Sequence, residues 1–463
     1  MESNRADGIM RRCSHGNART SDAKSMDIRH KATSIRLLSL DTPPMRAFHV
    51  TWLAFFLCFF GWFGIAPLMA VVREDLKLTA DQIANIVIAS SVITIFARLV
   101  VGWLCDRVGP RVTYAWLLAV GSLPVMGIGL AHSYETFLLF RFGMGLVGAS
   151  FVVTEYHASI MFAPNVVGTA NATTAGWGNL GGGVTQVAMP LLFGALMTLG
   201  LDEFLSWRIA MIAPGVLLLL TAIAYYVLTQ DAPDGNFVDL RASRTADHAS
   251  DTASLLDVCR DYRVWILCVL YGASFGIEVT MDNIAALYFM DHFQLTLKVA
   301  GIVASSFGLL NLFARTLGGN LGDAAGLRWG LKGRTYWLGA VILAEGLGLA
   351  TFAGLAALVP AVAVFMLFGL FVCMGCGATY AVTPFINRRA VGAVAGVVAA
   401  GGSAGAVAAG FLLKATGVGP RGLLTLGIIV AAVALLAPLI RFSHTDDHAM
   451  RTEIVDSLRL SPV

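Results

Sequence analysis

Two stretches of the chain share one pattern, FARLVVGWLCD at residues 96–106 and FARTLGGNLGD at residues 313–323. Both fit FARxxxGxLxD, and the second copy begins 217 residues after the first, at Phe313 against Phe96. Each copy lies in the second long apolar run of its half of the chain, so the halves repeat in the same orientation. The repeat predicts two related helical bundles, each with an arginine and an aspartate at equivalent positions.

The composition is that of a membrane protein. Of the 463 residues, 57% are hydrophobic and 13% are charged, whereas about a quarter are charged in a soluble domain. A spanning helix needs about 20 apolar residues. Suitable runs lie at roughly 47–72, 83–104, 112–131, 136–160, 171–198, 208–229, 264–290, 298–321, 335–355, 358–383, 390–415 and 420–441. We predict an all-α membrane protein with twelve transmembrane helices in two pseudo-symmetric six-helix bundles.

The segments outside these runs are polar. The predicted organisation is an N-terminal tail at 1–46, a bundle at 47–229, a linker at 230–262, a second bundle at 263–441 and a C-terminal tail at 442–463. Basic residues in short loops mark the cytoplasmic side. Such residues are more frequent in the loops on the side that holds both termini, as at Arg107, Arg111, Arg388 and Arg389. We therefore expect a multi-pass protein of the plasma or inner membrane with cytoplasmic tails and linker.

The sequence does not indicate an enzyme. Cys373 and Cys376 form a CxxC pair, but neither a second ligand pair nor a βαβ context accompanies it, so we interpret both as helix-packing residues. No catalytic residue, metal-ligating cluster or cofactor motif is predicted. The net charge of +3 is spread over loops and does not form a nucleic-acid patch. The lipid bilayer and a small ligand are the expected partners, and an accessory protein is left open.

Arg98 and Arg315 are charged residues inside apolar runs. Arg98 lies about 22 Å along a helix that starts at residue 83, at 1.5 Å per residue, and Arg315 is placed likewise. Burying each arginine costs roughly 2.5–3.5 kcal/mol, so each requires a partner. One alternative is pairing inside the bundle with backbone carbonyls or with a carboxylate. The available carboxylates are Glu155, Glu278, Asp282 and Glu345.

The other alternative is a single anion held between the two halves. A guanidinium group binds planar oxyanions through two parallel hydrogen bonds, and two facing guanidinium groups can share one small anion. Nitrate, nitrite, formate and bicarbonate all satisfy this geometry. The spacing of the arginines does not separate these anions.

Two glycine-containing motifs add to the pattern. Residues 175–186 read AGWGNLGGGVTQ, in which glycines would permit close helix packing in a membrane and Asn179 adds an amide. Packing alone is the simpler interpretation of these glycines, which are Gly176, Gly178, Gly181, Gly182 and Gly183. Residues 102–111 read GWLCDRVGPR and fit GxxxDRxGxR. The matching residues are Gly102, Asp106, Arg107, Gly109 and Arg111.

The second motif resembles the loop signature of the major facilitator superfamily. Residues 175–186 are similar to the first nitrate signature of the nitrate/nitrite porter family within it. A second signature is expected at 400–406, where the chain reads AGGSAGA and Ser403, between Gly402 and Gly405, replaces the usual asparagine. The similarity covers about residues 32–441. It implies the major facilitator fold and transport of nitrate or nitrite, with Asp106, Arg107 and Arg111 latching the halves together on the inner side.

The resemblance also implies roles at the site. Arg98 and Arg315 correspond to the family's anion-binding pair, Asn179 to its signature amide, and Phe151, Tyr271 and Phe275 to its pocket lining. The face of an aromatic ring is electronegative and should not attract an anion. We therefore expect these rings to exclude water from the site, which strengthens the arginine contacts.

Titratable side chains near the site are candidates for carrying a proton with the anion. They are Glu155, His157, Glu278 and Asp282. Glu155 stands where plant-like relatives usually have glutamine, and a static pair with Arg141 is its alternative role. The sequence favours proton-coupled nitrate uptake by alternating access. Nitrate/nitrite exchange and a receptor that binds the anion without moving it are the alternatives.

Overall fold

The computed structural model describes residues 30–242, 255–295, 297–417 and 419–460, most of which are helical. The first half contains α1 (Pro43–Phe63), α2 (Ala80–Val108), α3 (Pro110–Gly127), α4 (Tyr134–Met161, with a 3-10 turn at Gly145–Ala149), α5 (Val167–Thr198) and α6 (Glu203–Leu228). The second half contains α7 (Tyr262–Phe293), α8 (Leu297–Leu309, continued at 314–329), α9 (331–353), α10 (Leu358–Tyr380), α11 (Val391–Thr416) and α12 (Pro420–Ala434). A further helix, α13 (His444–Leu460), follows them.

Ten helical segments are long and apolar enough to cross a membrane. One of them, Ile302–Ala353, has 52 residues and turns at Gly330, where φ is 71°, so it supplies two crossings, α8 and α9. The 29 residues of α2 supply one more, because at 1.5 Å per residue they span about 43 Å. Counted in this way, the described residues have room for twelve crossings, two more than the ten segments that length and composition select.

The turn between the second and third helices is built in the same way in both halves. Gly109 (φ 97°) separates α2 from α3, and Gly330 separates α8 from α9. After the last helix of each half, an aspartate returns to this turn, since Asp231 accepts from the Arg111 amide at 2.9 Å and Asp447 accepts from the Leu331 amide at 2.8 Å. The structural repeat therefore extends beyond the arginine motif.

The two halves pack closely at the end of the molecule that carries both described chain ends, here called the terminal face. There α2 packs on α11 and α5 packs on α8. The helices approach at glycines, because a Cβ on Gly102 would overlap the Gly392 carbonyl and one on Gly319 would overlap the Gly168 carbonyl. Small residues permit such backbone contacts in membrane helices.

Both predicted tails are folded where the structure describes them. Apolar runs alone do not reveal this, because part of what holds the tails in place is polar. Ala32 exchanges backbone hydrogen bonds with Met161 (3.0 Å) and Ala163 (2.9 Å). In α13, Met450 is buried against Val167, Leu331 and Phe385. Lys31 bonds Glu453 of α13 at 2.8 Å, so the two chain ends meet.

The predicted linker is also helical in part, at Phe237–Ala242 and Leu255–Arg260. The helix α1 begins at Pro43, earlier than expected, because prolines at positions 43 and 44 suit a first helical turn. The parts of the predicted tails at 1–29 and 461–463, and of the linker at 243–254, lie outside the described residues.

Candidate functional site

Arg98 lies fully buried in α2 and makes its hydrogen bonds to backbone carbonyls. Its Nε donates to the Gly148 carbonyl at 3.2 Å, within the same half, and its Nη1 donates to the Ala399 carbonyl of α11, across the halves. Its Nη2 is buried and has no hydrogen-bond partner among the described residues. A buried cationic donor of this kind costs free energy until it finds an acceptor.

Aromatic rings surround the Arg98 guanidinium. Its central carbon lies 5.7 Å from the ring centre of Phe151 and 5.3 Å from that of Phe275, within the range of cation–π attraction. Tyr271 stacks on Phe275 with ring centres 5.3 Å apart. The rings thus cover this side of the guanidinium, and their role in excluding water stays a prediction.

Tyr271 places a second buried donor in this region. Its ring stacks on Phe151 (5.8 Å) and meets the edge of Tyr380 (5.1 Å), a residue of α10 that no sequence pattern indicated. Its hydroxyl is buried, again with no hydrogen-bond partner in the described ranges. Tyr271 interacts electrostatically with both Arg98 and Arg315, and it therefore belongs to the same site as the arginines.

Arg315 lies in α8 and is 1% exposed. It forms an ion pair with Glu278 of α7 through Nη2, and its Nε donates to Asn311 Oδ1 at 3.2 Å. Asn179, from α5 in the other half, satisfies the pair best with its amide oxygen turned toward Arg315, and in that orientation the oxygen accepts from Nη1 at 3.2 Å and from Nη2 at 2.8 Å. Every nitrogen of this guanidinium therefore has a partner.

Glu278 is held by several donors besides Arg315. Asn311 Nδ2 donates to its Oε1 at 2.9 Å, and the thiol of Cys376 donates to its Oε2 at 3.3 Å. The interpretation of Cys376 as a packing residue is therefore incomplete. Asn311 was also missed, although it lies only four residues before Arg315, a spacing that the sequence displays.

The alternative of pairing inside the bundle thus describes both arginines in this structure, but differently. Arg315 pairs with a carboxylate, whereas the partners of Arg98 among the described residues are carbonyls. The two arginines also interact electrostatically with each other. A negative ligand between them would meet one neutralised guanidinium and one that carries an uncompensated charge.

The glycines of the helix α5 segment have different neighbours. A Cβ on Gly176 would approach the Asn311 carbonyl of α8 at 2.5 Å, while Gly178 and Gly181 lie against the ring of Phe55 and the backbone of Phe56 in α1. Gly182 has only ordinary contact distances to α1, and Gly183 is exposed with nothing within 4 Å. Packing accounts for the first three glycines but not for Gly183.

In α11, the glycines support the aromatic cluster. A Cβ on Gly402 would lie 2.6 Å from Tyr271 and 2.9 Å from Phe275, and Gly405 lies directly against the backbone of Gly272. Ser403 is 5% exposed and lies one turn beyond Ala399, whose carbonyl holds Arg98. The α11 contact to Arg98 is thus made by the backbone.

Asp106 of the loop motif reaches across the halves at the terminal face. It accepts from the amides of Gly392 (3.1 Å) and Ala393 (2.9 Å) at the start of α11. The positive end of a helix dipole favours a carboxylate there. The equivalent aspartate, Asp323, accepts from the amides of Gly168 (3.1 Å) and Thr169 (2.6 Å) at the start of α5.

The basic residues of that motif do not act as expected, because they contact their own half. Arg111 Nε donates to the Tyr226 carbonyl at 2.7 Å, and the Arg107 guanidinium stacks over Trp103 at 4.7 Å. A cation does cross the halves at the second copy, where Arg334 pairs with Asp323 at 2.6 Å and donates to the Pro164 carbonyl at 2.7 Å. Gly109 serves the turn described above.

The candidate proton carriers differ in their surroundings. Glu155 is 1% exposed, and neither carboxylate oxygen has a hydrogen-bond partner within the described part of the chain. The alternative pair of Glu155 with Arg141 is wrong, because Arg141 instead donates to the Trp62 carbonyl. Asp282 is exposed, one helical turn beyond Glu278.

His157 has partners at both ring nitrogens. Its Nδ1 lies 2.5 Å from the Tyr225 hydroxyl, and its Nε2 lies 2.9 Å from the Gln230 carbonyl. Both partners belong to the first half and to the segment that follows α6. These contacts lie apart from the arginine pair, so we leave His157 out of the proposed coupling.

The fold and the paired sites define a class of protein. Residues 51–410 match the Major Facilitator Superfamily, and the chain belongs to it. Among solved structures, the E. coli fucose:proton symporter FucP superimposes with a TM-score of 0.61 at 13% identity, covering 86% of this chain and 100% of that one. The proton:xylose symporter XylE gives 0.63 at 13% identity, over 85% and 95%. At such low identity these structures support the fold alone.

Sequence relatives narrow the class. The chain is 40% identical to the "High affinity nitrate transporter 2.5" of Arabidopsis thaliana, over 91% of this chain and 84% of the relative. It is 29% identical to the "Nitrate/nitrite transporter NrtP" of Nostoc punctiforme, over 77% and 84%. The chain belongs to the nitrate/nitrite porter family.

Proposed function

We propose that this protein carries nitrate, and nitrite as a second substrate, into the cell by alternating access in symport with protons. The observation that carries the proposal is a pair of buried donors, Arg98 Nη2 and the Tyr271 hydroxyl, that have no protein acceptor among the described residues. Two such donors beside a second arginine suit a small planar anion. The names of the relatives from Arabidopsis and Nostoc support nitrate and nitrite as that anion.

Alternating access follows from where the halves meet. Asp106 and Asp323 each cap a helix of the opposite half at the terminal face. Opening that face must break both caps, while Gly183 and Gly410, further along the capped helices α5 and α11, are exposed with no described atom within 4 Å of an added Cβ. The proposed cycle therefore loads the anion from the face opposite the termini and releases it at the terminal face, with Arg98 and Arg315 between them.

The membrane orientation is part of the proposal. Basic loop residues place the terminal face in the cytoplasm of a cell that carries the protein in its plasma or inner membrane. Protons enter as the coupling ion because the site holds more than one acidic group, including Glu155, Glu278 and Asp282. One proton per nitrate makes the load neutral, and two protons allow the membrane potential to drive uptake.

Transport by purified protein in proteoliposomes tests this function. With a nitrate-free interior and an inward proton gradient, we expect nitrate to accumulate in vesicles of the wild type and not in those of Arg98→Gln. Arg441→Gln, which changes an arginine after α12, is the matched control and should transport normally. Wild-type vesicles that bind nitrate without accumulating it would contradict transport and support the receptor alternative.

A pH dye inside the same vesicles tests the coupling. We expect the interior to acidify as nitrate enters and the acidification to stop when the gradient is removed. Glu155→Gln, measured beside the parent, reports whether that carboxylate contributes to proton movement. Nitrate entry that requires internal nitrite and causes no acidification would support exchange and contradict symport.

A further inference from the structure

Glu278 occupies the position at Arg315 that a substrate anion would take. Its Oε2 bonds Nη2 of the guanidinium, and the remaining nitrogens are held by Asn179 and Asn311. With the Asn179 amide oxygen turned toward Arg315, each nitrogen of Arg315 has a partner among the described residues. This saturation contrasts with Arg98, whose Nη2 lacks a partner in the described ranges.

An anion that approaches both arginines must displace Glu278 from Arg315. If the carboxylate kept its charge, two anions would share one guanidinium in a buried site, and their repulsion would be weakly screened. If the carboxylate takes up a proton, the charge of the site stays constant, because the anion replaces one negative charge with another. The released acid keeps a hydrogen-bonding role toward Asn311, which lies 2.9 Å from its Oε1.

We propose that Glu278 is the coupling residue of the transporter, an internal counter-anion that releases Arg315 to the substrate only by taking up a proton. The proposal rests on the proposed nitrate transport and specifies its order. Arg98 holds the incoming anion first, and Arg315 engages when one proton reaches Glu278. Release at the other face reverses these steps, so that the proton leaves as the ion pair forms again.

The proton has a direct approach to Glu278. Asp282 lies one helical turn further along α7 on the same helix face, and it is exposed. A carboxylate within a membrane-spanning helix is expected to face water and not lipid. Asp282 lies within electrostatic reach of both Glu278 and Arg315, which makes it the nearest carboxylate on α7 for passing a proton to the ion pair.

Other ionisable groups face Glu278 from the surrounding helices. They are Tyr271 and Asp282 of α7, Arg315 of α8, Glu345 of α9, and Cys373 and Cys376 of α10. Glu345 accepts from the Ser274 hydroxyl at 2.7 Å, away from the arginine. Glu278 is the carboxylate among them that forms an ion pair with Arg315. It is therefore the group whose charge the substrate must replace.

Proton uptake on binding, without transport, tests the inference. The full chain in detergent is titrated with sodium nitrate in weak buffer near pH 7, with sodium chloride as the reference, and a pH dye and calorimetry record protons and binding. We expect the wild type to take up about one proton per nitrate bound. Over the pH range in which binding takes up that proton, the affinity should fall about tenfold per pH unit.

Two variants sharpen the result. Glu278→Gln should bind nitrate about tenfold more tightly at pH 7, with no proton uptake and no pH dependence. Glu345→Gln, a matched removal of a buried carboxylate in the same half, should keep the wild-type proton uptake. If Glu278→Gln fails to fold, wild-type binding in buffers of different ionisation enthalpy still measures the number of protons.

The outcomes separate this inference from the proposed function. Nitrate binding by the wild type without protons, or protons that persist in Glu278→Gln and vanish in Glu155→Gln, would overturn the inference while leaving nitrate transport intact. Failure of the wild type to bind or accumulate nitrate would overturn both.

Discussion

The two copies of the FARxxxGxLxD motif occupy equivalent places, yet their charges are compensated differently. In the first half, Arg98 and Asp106 bond backbone groups, and neither forms an ion pair within the described ranges. In the second half, Arg315 pairs with Glu278 and Asp323 pairs with Arg334. The repeat thus preserves the position of the arginine in each half but not its charge balance. Arg98 retains an uncompensated charge, whereas Arg315 is neutralised by Glu278 until substrate arrives.

The largest expected difference between the halves concerns the two aspartates. Asp323→Asn leaves Arg334 buried without its carboxylate and should cost about 3 kcal/mol of stability. Asp106→Asn loses only charge-assisted bonds to amides and should cost about 1 kcal/mol. Thermal unfolding in detergent measures both variants. Equal losses would show that the ion pair adds nothing to the helix cap.

The next comparison exchanges each arginine for lysine, which keeps the charge and removes the fork. Arg98→Lys should weaken nitrate binding about 100-fold, or ~2.7 kcal/mol, since its Nη2 has no other partner among the described residues. Arg315→Lys should weaken binding about tenfold, because Asn179 and Glu278 remain around the ammonium group. Calorimetric titration gives both values. An Arg98→Lys variant with wild-type affinity would reject a bidentate contact at that arginine.

A smaller effect is expected from making the first site resemble the second. Asn179 provides Arg315 with an amide oxygen, whereas Ser403 lies one turn from the Ala399 carbonyl that holds Arg98. In Ser403→Asn the longer side chain should reach the guanidinium and tighten nitrate binding about fivefold, or ~1 kcal/mol. Ser403→Ala is the control and should bind as the parent does. Weaker binding in Ser403→Asn would mean that the amide blocks the anion.

The smallest effect lies where the chain ends meet. Burial raises the pKa of Glu453, but the charges of Lys31 and Arg388 lower it by more, so the pKa lies below the usual 4.5. The resulting stability is fully present above pH 4.5 and is lost as the pH falls through the lower, folded-state value. Because the three side chains are partly exposed, we expect less than about 1 kcal/mol.

Unfolding of Glu453→Gln and of the parent measures that contribution. The difference between them should be present at pH 7 and disappear in strong acid. A difference that stays constant through the acid range would show that the Glu453 charge does not stabilise the contact between the chain ends.

The sequence predicts the fold and both arginines because charges inside apolar runs are conspicuous and the motif repeats. It does not predict their partners. Arg98 bonds Ala399 across 301 residues, and a backbone carbonyl has no residue signature. Asn311 was open to prediction from its spacing to Arg315, whereas Tyr380 and Cys376 reach the site only through the crossing of α10 with α7 and α8. The helix α13 was not predicted, because it is polar and apolar runs do not reveal it.

Nitrate binding to the purified full chain tests the central claim most directly, namely that one anion is shared by the two unlike arginines. Calorimetry should give one nitrate per chain for the wild type and no measurable binding for either Arg98→Gln or Arg315→Gln. Wild-type affinity in either variant would contradict the account, because the anion would then be held by one half alone.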